Sequence, residues 1–124
     1  MRKLAVLFAA LSLLACAGSA AGAGGGPPQI PRIPGNWSHA EINVAIKKAQ
    51  HTLILDRGKI VEVTMTQLTL RERDGTTAVI PVNGQTIVNL DGRSGTISSL
   101  RRRMTVTTLR VDDGAAVRVR AESF

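Results

Sequence analysis

Between Gly58 and Ala121 the apolar residues fall mostly at every second position. Val61/Val63/Met65, Leu68/Leu70, Ala78/Ile80/Val82, Val88/Leu90 and Val117/Val119/Ala121 each keep this rhythm, and the opposite faces carry Glu62, Arg71, Arg73, Arg118 and Arg120. A period of two with one apolar and one charged face is the signature of an antiparallel sheet buried on one side. Turn signals divide the stretch at Asp56-Arg57-Gly58, Asp74-Gly75, Asn83-Gly84, Asp91-Gly92 and Asp113-Gly114. The runs between them predict strands at Lys59–Thr64, Gln67–Arg73, Thr76–Val82, Thr86–Leu90, Met104–Val111 and Ala115–Ala121, with Thr52–Leu55 as a short extra strand. Pro81 cannot donate to a ladder, which points to an edge strand or to a position whose N–H side faces outward. Along Met104–Val111 the apolar phase slips near Thr107-Thr108, which predicts a bulge there. Ser98-Ser99-Leu100 reads as one helical or 3₁₀ turn, with Ile97 and Leu100 plugging a barrel end. A domain this small buries only about 60% of its surface, and closure would remove exposed edges. The expected fold is therefore mainly β: a six-stranded antiparallel OB-like barrel over residues 53–121, a tail at 122–124, and one short helix ahead of the barrel.

That helix is expected within residues 37–52. Ser38-His39-Ala40-Glu41 fits a capping box, with Trp37 before the cap and Ile42 after it as the apolar pair that fixes chain entry. Ile42, Ala45, Ile46 and Ala49 follow at i, i+3, i+4 and i+7. Lys47 and Lys48 suit the negative end of a helix dipole. The stripe would cap one barrel opening. On such a helix His39 and His51, 12 residues apart, stand about 18 Å apart in rise. They cannot share a metal there and read as two solvated histidines.

The start of the chain has a different pattern. Arg2 and Lys3 precede an apolar run of 11 residues, Leu4 to Leu14, in which Ser12 is the one polar member. A membrane-spanning helix needs about 20, so residues 1–15 read as a secretory signal removed on export. Leu13-Leu14-Ala15-Cys16 resembles the lipobox of bacterial lipoproteins, in which the cysteine sulfur takes a diacylglycerol. Leu14 is weaker than Ala or Ser at its position. Ordinary cleavage after the small residues Ala15-Cys16-Ala17 or Ser19-Ala20-Ala21 stands as the alternative to a lipidated Cys16. Both place the protein outside the cytoplasm, as a membrane-anchored lipoprotein or a soluble secreted protein. Residues 16–36 then read as a tether. Of the 19 residues from Ala17 to Gly35, six are Gly, four Ala, four Pro and one Ser. The Gly/Ala half reads as flexible coil, and Pro27 to Pro34 as an extended polyproline-type spacer.

Composition narrows the chemistry. Three aromatics (Phe8, Trp37, Phe124) and no Tyr leave no stacking platform for single-stranded nucleic acid. The single Cys forbids an intramolecular disulfide and any multi-cysteine metal site. Gly92-Arg93-Ser94-Gly95 lacks the nucleophile-elbow pattern, and Asp112-Asp113 reads as a turn-forming pair pointing apart. No catalytic residue, cofactor or metal set is therefore expected. The charge is +7, or +5 once Arg2 and Lys3 are removed. From Arg57 to Ala121 all 11 basic residues except Lys59 are Arg, the side chain suited to bidentate phosphate or carboxylate contacts. Arg101, Arg102 and Arg103 are consecutive, and Arg110, Arg118 and Arg120 lie on strands expected nearby. Two readings stand for this set: a docking face for an anionic partner such as lipid headgroups, a surface polymer or an acidic protein, and a solvated arginine-rich surface.

The run Gly58-Lys59-Ile60-Val61-Glu62-Val63, with Leu68-Thr69-Leu70, Asp74-Gly75-Thr76, Thr86, Asp91-Gly92, Ser99-Leu100, Met104-Thr105-Val106 and Asp113-Gly114, resembles the small exported bacterial barrels catalogued as domain of unknown function 5666. The resemblance spans Gly58 to Ala121, with Arg103 standing where that family often has Gly. It implies an OB-like barrel with no established activity. A second, weaker resemblance, over Ser38 to Ile97, is to the PepSY domains of secreted protease precursors. There a helix precedes a Gly-Lys-Val-Glu-Val-like strand, and a later strand ends in a turn like Asp91-Gly92-Arg93-Ser94-Gly95. Three functions follow in order: a non-catalytic envelope protein that binds or scaffolds, a PepSY-like protease-inhibitory module or secreted enzyme, and, last, an OB-type nucleic-acid binder. Membrane contact would come through a lipid on Cys16.

Overall fold

The computed structural model of the chain describes residues 27–123. The expected signal at 1–15, Cys16 and the Gly/Ala part of the expected tether lie outside the described residues. Eight strands run in the order β1 (His39–Ile46), β2 (Ala49–Val63), β3 (Gln67–Glu72), β4 (Thr77–Pro81), β5 (Ile87–Leu90), β6 (Arg93–Gly95), β7 (Thr105–Val111) and β8 (Ala116–Glu122). A 3₁₀ turn at Ile97–Ser99 joins β6 to β7. The protein is mainly β, and among the described residues there is no α-helix.

The expected helix is replaced by β1. Ile42, Val44 and Ile46 are β-branched, which disfavours a helix and suits a pleated strand. The same stretch satisfies a period of two as well as a helical stripe. Pairing decided between them: Ala40, Ile42 and Val44 lie in register with Leu55, Leu53 and His51 of β2. Lys47 and Lys48, expected at the end of a helix, form the two-residue hairpin loop, both with positive φ (51° and 69°). The helix on which the PepSY resemblance rests is thus a strand.

Asp56-Arg57-Gly58 is not a turn either, and β2 runs straight through it. One edge of β2 pairs with β7 over Leu53 to Lys59. The other edge pairs first with β1, up to Asp56, and then with β3, from Gly58. The change of partner needs a bend and a close approach. A Cβ on Gly58 would lie 2.5 Å from the Arg71 carbonyl oxygen, so glycine serves packing here rather than a turn.

The sheet order is β4-β3-β2-β7-β8-β5-β6, with β1 on β2. It is open: its ends, β4 and β6, are not paired with each other in this order. Strand β5 runs parallel to β8, so the ladder is not wholly antiparallel. The sheet nevertheless curls, because Ile80 of β4 and Val88 of β5 belong to one buried cluster with Ile60, Leu68, Leu70, Val106, Val119 and Ala121. Ile97 and Leu100 join that cluster, buried as expected but against an open sheet and not in a barrel end. Pro81 ends an edge strand, also as expected. The bulge falls between Leu109 and Arg110 rather than at Thr107-Thr108, and a second lies in β2 between Ile60 and Glu62. The expected tail at 122–124 begins inside β8, which includes Glu122.

A second core lies on the other face. Leu53, Leu55 and Leu109 are buried there beneath Ile30, Ile33 and Trp37. The proline segment is therefore a strap and not a free spacer. Its Pro27 and Pro28 carbonyls accept hydrogen bonds from the Arg118 guanidinium at 3.1 and 2.8 Å. The Trp37 indole N–H donates to the Ile33 carbonyl at 3.1 Å.

Candidate functional site

Side chains alternate across β2, so Leu53, Leu55, Arg57 and Lys59 share the strap-bearing face. The first two are apolar and covered; the last two are cationic and begin an open groove. Lys59 lies in register with Arg71 of β3, and Arg73 follows two residues later on the same face. Arg103, at the entry to β7, completes the groove, which has a volume of about 570 Å³ and is floored by Ile60, Val61 and Thr105. Five cations line it, and its one acidic residue, Glu72, turns its carboxyl to the opposite face. The Arg57 guanidinium lies 5.9 Å from the centroid of the Trp37 ring, within cation–π range. A neighbouring hollow of about 240 Å³ adds Arg32 and Arg120.

The arginines singled out from the sequence do not form one cluster. Arg103 lines the groove and Arg120 its neighbour. Arg101 folds back, donating to the Ser98 and Leu100 carbonyls at 2.7 and 3.1 Å. Arg102 is exposed on the loop before β7. Arg118 holds the strap. Arg110 pairs with Ile54, on the face away from the strap, and its Nε is buried with no hydrogen-bond partner among the described residues. Consecutive residues on a turn diverge, and strand neighbours alternate faces, so adjacency in sequence misled. Arg57, Lys59, Arg71 and Arg73 were recoverable from strand parity once β2 and β3 were paired.

The opposite face carries a second polar constellation that the sequence did not suggest. His39 lies in register with Asp56, and Glu72 with Gly58. His39 Nδ1 is 2.7 Å from Asp56 Oδ1, and its Nε2 is 3.0 Å from Glu41 Oε2. Asp56 and Glu72 are only 4% and 6% exposed. Glu72 Oε2 is buried without a hydrogen-bond partner among the described residues. Burial, and then the neighbouring Asp56 carboxyl, push the Glu72 carboxyl up to about 7. The Asp56 and Glu41 hydrogen bonds raise the His39 imidazole above its usual range. These histidines are thus not simply solvated. His51 Nδ1 contacts Asp112 Oδ2, and Asp112 Oδ1 accepts from the Thr52 N–H at 2.8 Å. These contacts, the Thr52 one first, hold the Asp112 carboxyl below its ordinary value. Asp112 and Asp113 form a turn as expected, both with positive φ.

No serine, cysteine or threonine nucleophile stands against a histidine in the hydrogen bonds of the described residues. What the site offers is a cationic surface on one face and an imidazole with two buried carboxylates on the other. Comparison with protein-family models, with curated proteins and with solved structures finds no match to this chain.

Proposed function

We propose that this chain is a non-catalytic exported envelope protein whose cationic groove binds an anionic partner, a surface polymer or membrane headgroups bearing phosphate or carboxylate. The observation that carries the reading is the gathering of Arg57, Lys59, Arg71, Arg73 and Arg103 around one groove whose one acidic residue, Glu72, points its carboxyl to the other face. Neighbouring strands stand about 4.8 Å apart, and same-face residues on one strand about 6.7 Å apart. The cations therefore form a grid able to meet several anionic groups of one chain at once. Arginine supplies four of the five and can pair bidentately. The signal-like residues 1–15 support export. Lipidation of Cys16 would hold the groove near a membrane, where each close cation adds about 1 kcal/mol. The resemblance to the exported barrels of unknown function supports the same setting.

The test is retention of the exported chain on an immobilised polyanion and on anionic vesicles. Retention at low salt, lost near 1 M where the screening length is about 3 Å, is the expected result. Replacing Arg57, Lys59, Arg71 and Arg103 together by Gln should abolish it, whereas replacing Arg101 and Arg102 should have little effect. No retention at low salt, or retention indifferent to the quadruple change, overturns the reading. For the anchor, Cys16→Ser should release the protein from the membrane fraction in high salt; continued attachment there refutes lipidation.

A further inference from the structure

We propose that His39, Asp56 and Glu72 form a binding site for one divalent transition ion of the zinc class, bridging strands β1, β2 and β3. One ligand atom from each of the three lies within 4.8 Å of the others. Metal–ligand bonds of about 2.0–2.2 Å require donor atoms roughly 3 Å or slightly more apart. Small side-chain rotations would therefore close the set around an ion. The backbone need not move, because all three positions are fixed by strand pairing.

Glu72 supplies an independent reason. The residue is only 6% exposed, and its Oε2 is buried with no partner among the described residues. A buried carboxylate oxygen without a donor carries an unpaid desolvation cost. A cation bound between Glu72 and Asp56 removes that cost for both carboxylates. Glu41 supplies a third observation. With Nδ1 turned toward Asp56, the other ring nitrogen points at Glu41 Oε2, 3.0 Å away. A carboxylate that accepts from the far nitrogen of a ligating imidazole orients the ring and makes it a better donor. Glu41, His39 and the two buried carboxylates stand in that relation.

The donor set selects the ion. An imidazole nitrogen with two carboxylates suits zinc and its neighbours, while calcium and magnesium take oxygen ligands. The His39 side chain is 44% exposed, so an ion enters from solvent there and keeps a water in its remaining position. The site lies on the inner face, whereas the cations Arg57, Lys59 and Arg71 face outward, so the groove's charge does not occupy it.

The test uses the exported chain carrying Cys16→Ser, which removes the only thiol in the sequence as a competing ligand. Zinc titration should show one ion per chain and a rise in the thermal unfolding midpoint. Cobalt in its place should give the visible absorption of a bound, low-coordinate ion. Loss of an outer partner of a ligand costs about 10–100-fold in affinity. His39→Ala and Glu72→Gln should each cost at least that much, Glu41→Gln should fall within that range, and His51→Ala should change nothing. Glu72→Gln is isosteric and keeps the core filled, so a folded variant with undiminished zinc affinity overturns the proposal. So does stoichiometric binding that His51→Ala abolishes, and so does the absence of any bound ion. In that last case a proton on Glu72 is what satisfies the pair.

Discussion

The strap-bearing face of the sheet has two halves that begin alike and end differently. In both, β2 presents odd-numbered residues opposite odd-numbered residues of β7. Over Leu53 and Leu55, facing Val111 and Leu109, the residues are apolar, and Ile30, Ile33 and Trp37 close over them. Over Arg57 and Lys59, facing Thr107 and Thr105, the residues are polar and the groove stays open. Two residues along one strand thus change a core into a surface. The hydrophobic gain that draws the proline segment down ends where the first guanidinium appears, because covering that charge would cost more than the contact returns. Trp37 stands at the boundary, its ring among the apolar residues and its face toward Arg57.

The contrast can be broken at several points. Leu55 is fully buried beneath the strap, and Leu55→Ala should cost about 2–5 kcal/mol in urea unfolding; a loss well under 1 kcal/mol would mean that the second core is not packed. Gly58→Ala should cost about 1–3 kcal/mol, since its new methyl must displace the Arg71 carbonyl 2.5 Å away. An unchanged midpoint would show that β2 and β3 separate freely. Ile33 is half-buried, and Ile33→Ala should cost about 1 kcal/mol. The same change should turn residues 27–34 from slowly to rapidly cleaved in limited proteolysis, and equal cleavage in both proteins would remove the strap from the folded unit.

On the open half the expectation reverses. Arg57→Gln with Lys59→Gln should leave stability within about 0.5 kcal/mol while weakening polyanion retention measurably; a large stability loss would make these residues part of the scaffold. The smallest effect concerns Asp112, whose carboxyl is held low in the folded state by the Thr52 N–H and by His51. A depressed folded value means stabilisation that is present above the ordinary carboxylate range and is lost as pH falls through the folded one. Asp112→Asn should therefore flatten the acid limb of the unfolding midpoint against pH, and identical limbs would show that the contact is absent in solution.

Much of the β architecture was legible in local pattern. The alternations at Leu68/Leu70 and Val117/Val119, the Asp74-Gly75 and Asp91-Gly92 turns, the edge placement of Pro81 and the burial of Ile97 and Leu100 each follow from parity or turn chemistry, which neighbouring residues settle among themselves. Residues 39–50 were ambiguous because Ile42 and Ile46 satisfy a helical and a strand period at once. Only the pairing of Ala40, Ile42 and Val44 with β2 resolved it. Asp56-Arg57-Gly58 likewise has the composition of a turn, and only the hand-over of an edge from β1 to β3 makes it strand.

The sequence alone determined the positive charge, the scarcity of aromatics, the single cysteine and the alternation that makes a sheet. It could not say which arginines meet, because that depends on register between strands far apart in the chain. Arg57 and Arg103 share a groove across 46 positions of sequence. Nor could it join His39 to Asp56 and Glu72, since each is an ordinary polar residue among its own neighbours. Tertiary pairing placed the imidazole against one buried carboxylate and brought the second within 4.8 Å of both. Desolvation, a property of the folded interior and not of any local segment, then gave that cluster its chemistry.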